Sequence, residues 1–241
     1  MRLLPKLFVT LGLSLLALSV SAAPDNPKNG VDYRTLDKVQ QTTSGNKVEV
    51  TEFFWYSCPH CHAFDPALVN WVKKQGDNIV FKRVPIAFNE SFVPQQRLYY
   101  ALEALGLSEQ LNPKVFNAIH VERQPLDKDA SIADFIAKQG VDKQKFVAMY
   151  NSFGVQSKVR IASQLQAAYK IDGVPTIAIG GRYITSPSIA AAGLGGRQPE
   201  DTLQAAALKV MDYLVAKTAR ELGGAPKPSV AAAPSKKNKT E

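Results

Sequence analysis

Between residues 47 and 88 the chain reads strand, helix, strand, and no other stretch limits its fold as much. Residues 47–56 (KVEVTEFFWY) are rich in β-branched and aromatic side chains, the composition of a buried strand. Pro59 stands where a helix can begin. Phe64, Leu68, Trp71 and Val72 then follow at helical spacing, with Gly76 at the end. Pro66 lies inside that pattern and is expected to kink it. Residues 78–88 (NIVFKRVPIAF) return to strand. A β-α-β order of this kind favours a parallel pair of strands under a covering helix.

The rest of the chain extends that unit. Residues 31–36 (VDYRTL) alternate and suit a first edge strand. From Val93 to about Lys170 the pattern is helical throughout. Successive apolar faces are built on Leu98 and Leu102, Leu111 and Val115, Ile132 and Phe135, Phe146 and Tyr150, then Ala162 and Leu165, with stops expected at Gly106, Gly140 and Gly154. Residues 176–185 (TIAIGGRYIT) read as a hairpin turning at Gly180-Gly181, and a last helix spans 199–222. The expected architecture is an α/β layer interrupted by an all-helical subdomain. Its divisions are residues 23–88, a helical insertion at 89–157, and a second part of the layer at 158–222.

Both ends differ from this body. Residues 1–22 carry Arg2 and Lys6, an apolar run, and the small residues Val20-Ser21-Ala22, the pattern of a cleaved secretory leader. Residues 223–241 are small, Pro-rich and Lys-tipped, a composition that cannot bury a core. The formal charge of +8 is concentrated in these ends, which leaves about +3 on the body. The basic balance therefore gives no reason to expect a nucleic-acid partner.

The chain has two cysteines, Cys58 and Cys61, in the stretch SCPHCH. In an exported protein such a pair is expected to form a disulfide. A bridge across two intervening residues closes too small a loop to serve as a staple, so redox or cofactor chemistry gains weight. Cys58 and Pro59 stand at the start of the helix, where unpaired N–H groups and the macrodipole favour a thiolate. Cys58 is thus the expected exposed nucleophile, with Cys61 one turn on as its shielded partner. His60 is expected to give the thiolate a hydrogen bond or positive charge. A stabilised thiolate stabilises the reduced form and makes the disulfide a strong oxidant. C-P-H-C-H also matches a c-type haem attachment pattern literally. Four ligands packed into residues 58–62 cannot surround a zinc ion, so no metal is expected there, and His62 reads as a solvated helix residue.

Two further positions bear on this chemistry. The pleat places Glu52 on the face of Val48, Val50 and Phe54. If buried there, its pKa rises and it can exchange the proton that Cys61 takes and gives, with Lys82 or Arg83 as its partner. Residues 172–176 (DGVPT) place Pro175 just before a strand, which on its own reads as a trans turn.

Taken together, EFFWYSCPHC, the following helix, the helical insertion and the late GVPT closely resemble the DsbA thiol-disulfide oxidoreductases of the bacterial periplasm. This family is itself the standing example of a depressed cysteine pKa joined to an oxidising couple. The resemblance covers about residues 31–222. It implies a thioredoxin fold with a helical insert, a cis Pro175 beside the cysteines, Val174 in substrate binding, and Glu52 as the family's buried acid. The implied activity is donation of the Cys58–Cys61 disulfide to reduced exported proteins without a cofactor, with reoxidation by a DsbB-type quinone-linked membrane oxidase. A reductase or isomerase is the redox alternative. Dimeric isomerases carry a dimerisation domain that is not read ahead of Val31, so a monomer is expected. His62 departs from the family pattern, which often has an aromatic residue there, and residues 188–196 and the Lys-rich tail match no part of it.

Overall fold

The computed structural model describes residues 26–223. The leader expected at 1–22 lies outside the described residues, as does the tail expected at 223–241 apart from Gly223. β2 (Val48–Phe54) is the interior strand on which the rest is built, and all seven of its residues are buried. β3 (Ile79–Pro85) pairs with it in parallel, as a right-handed crossover through a helix requires. On its other side lies β4 (Thr176–Ile179), antiparallel, followed by β5 (Tyr183–Thr185) and the two-residue edge strand β1 (Arg34–Thr35). The sheet order is β1-β5-β4-β2-β3.

The two faces of β2 belong to different cores. Val48 and Val50 pack with Phe64, Leu68 and Trp71 of α1 (Pro59–Gln75) and with Val210, Met211 and Leu214 of α8 (Glu200–Glu221). Phe53 joins Ala178 and Ile184 in a second core shared with the insert. That insert is α2 (Val93–Ala104), α3 (Ser108–His120), α4 (Asp129–Lys138) and α5 (Lys143–Tyr150). Cys58 and Cys61 belong to the insert's core, so the redox pair sits on the seam between layer and insert.

α1 carries Pro66 inside it and continues to Gln75 without a break. One local expectation needs correction. Gly154 ends nothing: it is the second residue of α6 (Phe153–Ala168). Ser152 accepts a hydrogen bond from the Val155 N–H, and this N-cap starts a new helix where a glycine alone suggested a stop. α6 therefore runs across the 157/158 division. Residues 188–196, unassigned by the sequence pattern, form the end of a short helix α7 (Pro187–Ala190) and a 3-10 turn at Ala192–Leu194.

The β4–β5 hairpin turns as expected. Gly180 and Gly181 both have positive φ (59° and 65°), and the Arg182 N–H donates to the Ile179 carbonyl. Gly181 also meets the segment before β2: its carbonyl accepts the Gln40 N–H at 2.8 Å, and a Cβ there would lie 2.1 Å from the Gln40 oxygen. Gly181→Ala should cost more than the roughly 1–2 kcal/mol of the left-handed conformation alone, lowering the melting temperature by about 4–8 °C. Gly45→Ala, at a positive φ facing open space, serves as the control and should lose only the roughly 1–2 kcal/mol of the left-handed conformation. Equal losses in the two variants, read from chemical denaturation, would show that the Gln40 contact gives way freely.

Candidate active site

The first turn of α1 is shaped by three neighbouring residues. Cys58 is the N-cap, in extended conformation (φ −78°, ψ 118°). Pro59 occupies the first helical position, where no N–H is needed. The His62 N–H closes the turn onto the Cys58 carbonyl at 3.1 Å. Both cysteines are free thiols in this structure. Cys61 is fully buried, as expected of the shielded partner, but Cys58 is only 7% exposed and not the open nucleophile anticipated. The cover on it comes partly from the loop before β4: the Cys58 Sγ lies 3.4 Å from the Val174 carbonyl oxygen. The Val174–Pro175 bond is cis, as the family resemblance implied and the bare sequence did not.

The two thiols are strongly differentiated. The Cys58 pKa is lowered to about 6, first by a hydrogen bond from the Cys61 thiol, which outweighs the cost of burial. The backbone N–H groups of Cys61 and His60 and the charge of His60 add to this. Burial pushes Cys61 far in the other direction, reinforced by the neighbouring Cys58. A single turn of helix thus holds one reactive thiolate and one thiol that keeps its proton.

His60 does not reach the thiolate with its ring. Its Nδ1 lies 3.1 Å from Glu200 Oε2 at the start of α8. The side chain is exposed, and a carboxylate is a stronger partner there than a sulfur behind the backbone. Its contribution to Cys58 therefore passes through its backbone N–H and its charge. His62 is likewise not a solvated helix residue: it is half-buried and stacks on His120 of the insert.

Glu52 is buried beneath the pair, as its strand face suggested. Its partner is Arg83, its in-register neighbour on β3, whose Nε donates to Glu52 Oε2 at 2.6 Å. Lys82 points to the opposite face and pairs with Glu49. The sequence did not reveal Asp65, a buried carboxylate on α1 bonded to the same guanidinium. Its spacing of four from Cys61 was the available signal, since that puts it on the cysteine's face one turn deeper. Burial raises the Glu52 pKa and Arg83 opposes that rise. Burial works against the Arg83 charge too, but the two carboxylates outweigh it and keep the guanidinium charged. Glu200 was the other residue missed: it is 140 positions from His60 and nothing local couples them.

Beside Cys58 opens a cavity of about 670 Å³, lined by His60, Val174, Pro175, Ile189, Glu200 and Leu203 among others. The structure thus gathers Cys58, Cys61, Pro59, His60, Val174 and Pro175 at one place, with Glu52 under them.

Residues 82–207 match the profile of the DSBA-like thioredoxin domain. The thiol:disulfide interchange protein DsbA of Burkholderia cepacia is 48% identical over 188 residues, which span 78% of this chain and 88% of the relative. DsbA of Pseudomonas aeruginosa is 36% identical over 212 residues, 88% of this chain and 95% of its own. The chain belongs to the DsbA family. The crystal structure of Pseudomonas aeruginosa DsbA superposes with a TM-score of 0.74 at 34% identity, covering 83% of this chain and 98% of that one. The fold is accordingly the thioredoxin-like DsbA fold, and the activity is that of a disulfide-donating thiol:disulfide oxidoreductase. The DsbA relationship supports neither the c-type cytochrome nor the reductase and isomerase alternatives.

Two outcomes follow for this DsbA site. Alkylation of the reduced protein with iodoacetamide should modify Cys58 with a midpoint near pH 6 and leave Cys61 unmodified in the folded state. A midpoint in the ordinary thiol range of about 8.5 would remove the asymmetry. Arg83→Met should cost about 3–5 kcal/mol, because it strands two buried carboxylates. Its stability should also fall more steeply than wild type as pH rises, since Glu52 and Asp65 must then ionise unpaired; urea titrations at several pH values test this.

Proposed function

We propose that Cys58 is the attacked sulfur of a periplasmic dithiol oxidase. A substrate thiolate attacks Cys58 in the Cys58–Cys61 disulfide, that bond breaks, and Cys61 leaves as a thiolate and takes up a proton. A second thiolate of the same substrate attacks its own sulfur in the mixed disulfide. The product departs oxidised, and the enzyme keeps two electrons as the Cys58 thiolate and Cys61 thiol. The observation that carries this reading is the opposite shift of the two thiols on one helical turn. A low-pKa Cys58 leaves readily, and a stable reduced form drives the disulfide outward.

The other site residues take supporting roles. Glu52 relays the proton that Cys61 gains and loses; electrostatic coupling of Glu52 to both cysteines supports this. Pro59 frees the first helical position of an N–H, and His60 adds charge. The backbone at Val174 and Pro175 holds the substrate as an added extended strand, in the manner of β-augmentation. The substrates are reduced exported proteins, and a DsbB-type quinone-linked membrane oxidase restores the disulfide. The protein acts as a monomer in the periplasm, after loss of a leader at 1–22. The leader pattern and the DsbA relatives support that compartment. Its thioredoxin-fold module is split around the helical insert, with the second seam at the start of α6.

The direction of transfer has a thermodynamic signature. The Cys58 pKa is depressed in the folded state, so its thiolate adds stability that is complete above the unfolded thiol pKa and lost as pH falls through about 6. Discounted for nearby solvent, that is of the order of 1 kcal/mol at pH 7. The short bridge restores little. Reduced protein should therefore melt above oxidised protein at pH 7 and lose that advantage near pH 5. If the oxidised form melts higher at pH 7, the couple is not a donor of disulfides. His60→Leu should raise the Cys58 alkylation midpoint by less than about 1 unit and shift the equilibrium with glutathione toward the enzyme disulfide.

A further inference from the structure

Three side chains of the insert hold the two residues that lead into Cys58. The Tyr56 hydroxyl donates to Asn112 Oδ1 on α3. Ser57 Oγ accepts from Gln95 Nε2 of α2 at 2.7 Å. The Tyr56 carbonyl lies 2.8 Å from Nε2 of His120, the last residue of α3. A carbonyl has no proton to give, so Nε2 of His120 carries one and donates it. On the other side of this ring lies His62, the residue after Cys61. The two imidazoles are parallel within 3°, with centroids 4.6 Å apart, and Phe116 borders His62 at 5.8 Å. The stack is a direct side-chain link from the catalytic helix α1 to the insert.

We propose that His120 is a positioning residue for the loop that delivers Cys58, and that His62 makes its hold on the Tyr56 carbonyl dependent on pH. Two imidazoles stacked this closely tolerate one positive charge, whereas two charges repel at short range with little water between them. The charged and titratable groups around His62 are His120 from α3 and Asp65 from its own helix, the latter bonded to Arg83 of β3. Phe116 supplies an apolar wall and Tyr56 a backbone carbonyl. Burial and His120 hold the His62 pKa below its ordinary value, against the pull of Asp65. A depressed histidine pKa means that the unfolded chain takes up the proton first as pH falls below about 6.5. The native state loses stability through that window until His62 itself charges. When His62 does charge, the repulsion falls on the stack, so the contact that loosens is His120 to Tyr56, and Ser57 and Cys58 follow. This device rests on Cys58 being the attacked sulfur, but its structural half can be read without any reaction.

The test is a histidine-selective NMR titration of the oxidised protein as wild type, His62→Phe and His120→Gln. In wild type the His62 midpoint should lie below the ordinary histidine range, and the Ser57 and Cys58 amide resonances should shift with it. His120→Gln should raise the His62 midpoint. His62→Phe, which keeps a stacked ring without a charge, should abolish the acid shift of the two amides. In a second arm, a thiol peptide attacks the oxidised protein at pH 7. His120→Ala should slow it about threefold to tenfold, the worth of one hydrogen bond to a backbone carbonyl, and His120→Gln, whose amide can donate to the same oxygen, should recover most of the rate. Amides that ignore the His62 titration, an unchanged acid shift in His62→Phe, or His120→Gln as slow as His120→Ala would each overturn the proposal. Amides that follow His62 in a protein whose attacked sulfur proves to be Cys61 would support the clasp and overturn the assignment of Cys58 instead.

Discussion

A thiolate persists in a nearly dry site only where donors already point at it. The start of α1 meets that condition: two backbone N–H groups and the Cys61 thiol converge on Cys58. The surrounding elements serve this constraint. β2 must end where it does to bring Cys58 to the N-cap, and the loop before β4 must cover the sulfur from the far side. Beneath, Glu52 brings negative charge close to the sulfurs, with Asp65 beside it, which would oppose the stabilisation if left alone. Arg83, bonded to both, offsets that charge. The ion cluster is thus a condition of the thiolate chemistry above it.

The insert is part of the site as well as an addition to the fold. In the loop from Trp55 to Ser57 the side chains of Tyr56 and Ser57 are met by Asn112 of α3 and Gln95 of α2. Trp55 itself stacks on Phe92, just ahead of α2, with ring centroids 3.9 Å apart. A thioredoxin-like layer supplies the helix start, and the insert decides how the chain arrives there.

Much of the fold was legible because its signals are local. The alternation and β-branching of β2, the Pro59 start, the Gly180-Gly181 turn and the periodic faces of the insert each report on neighbours a few residues away. The redox pair was legible for the same reason, being four residues long. What escaped depended on distance along the chain or on competition between local signals. Glu200 meets His60 only because α8 packs against α1, and His120 meets His62 only because α3 docks there. Asp65 is bonded to Arg83 only because β3 packs against α1. At Gly154 the glycine suggested a stop, yet Ser152 two residues earlier offered a cap, and the cap prevailed. The isomer at Val174–Pro175 has no local signature, and only the family resemblance anticipated it.

α6 has a mechanical consequence. The chain passes between layer and insert twice, once through the loop after Ile86 and once along α6, whose far end delivers Tyr169 onto Phe53 of β2 with ring centroids 5.1 Å apart. One crossing is a short loop and the other a splint, a continuous helix whose far end is seated on the central strand. The insert is thus braced against the layer along α6, and it meets the catalytic helix again at the end of α3, where His120 stacks on His62.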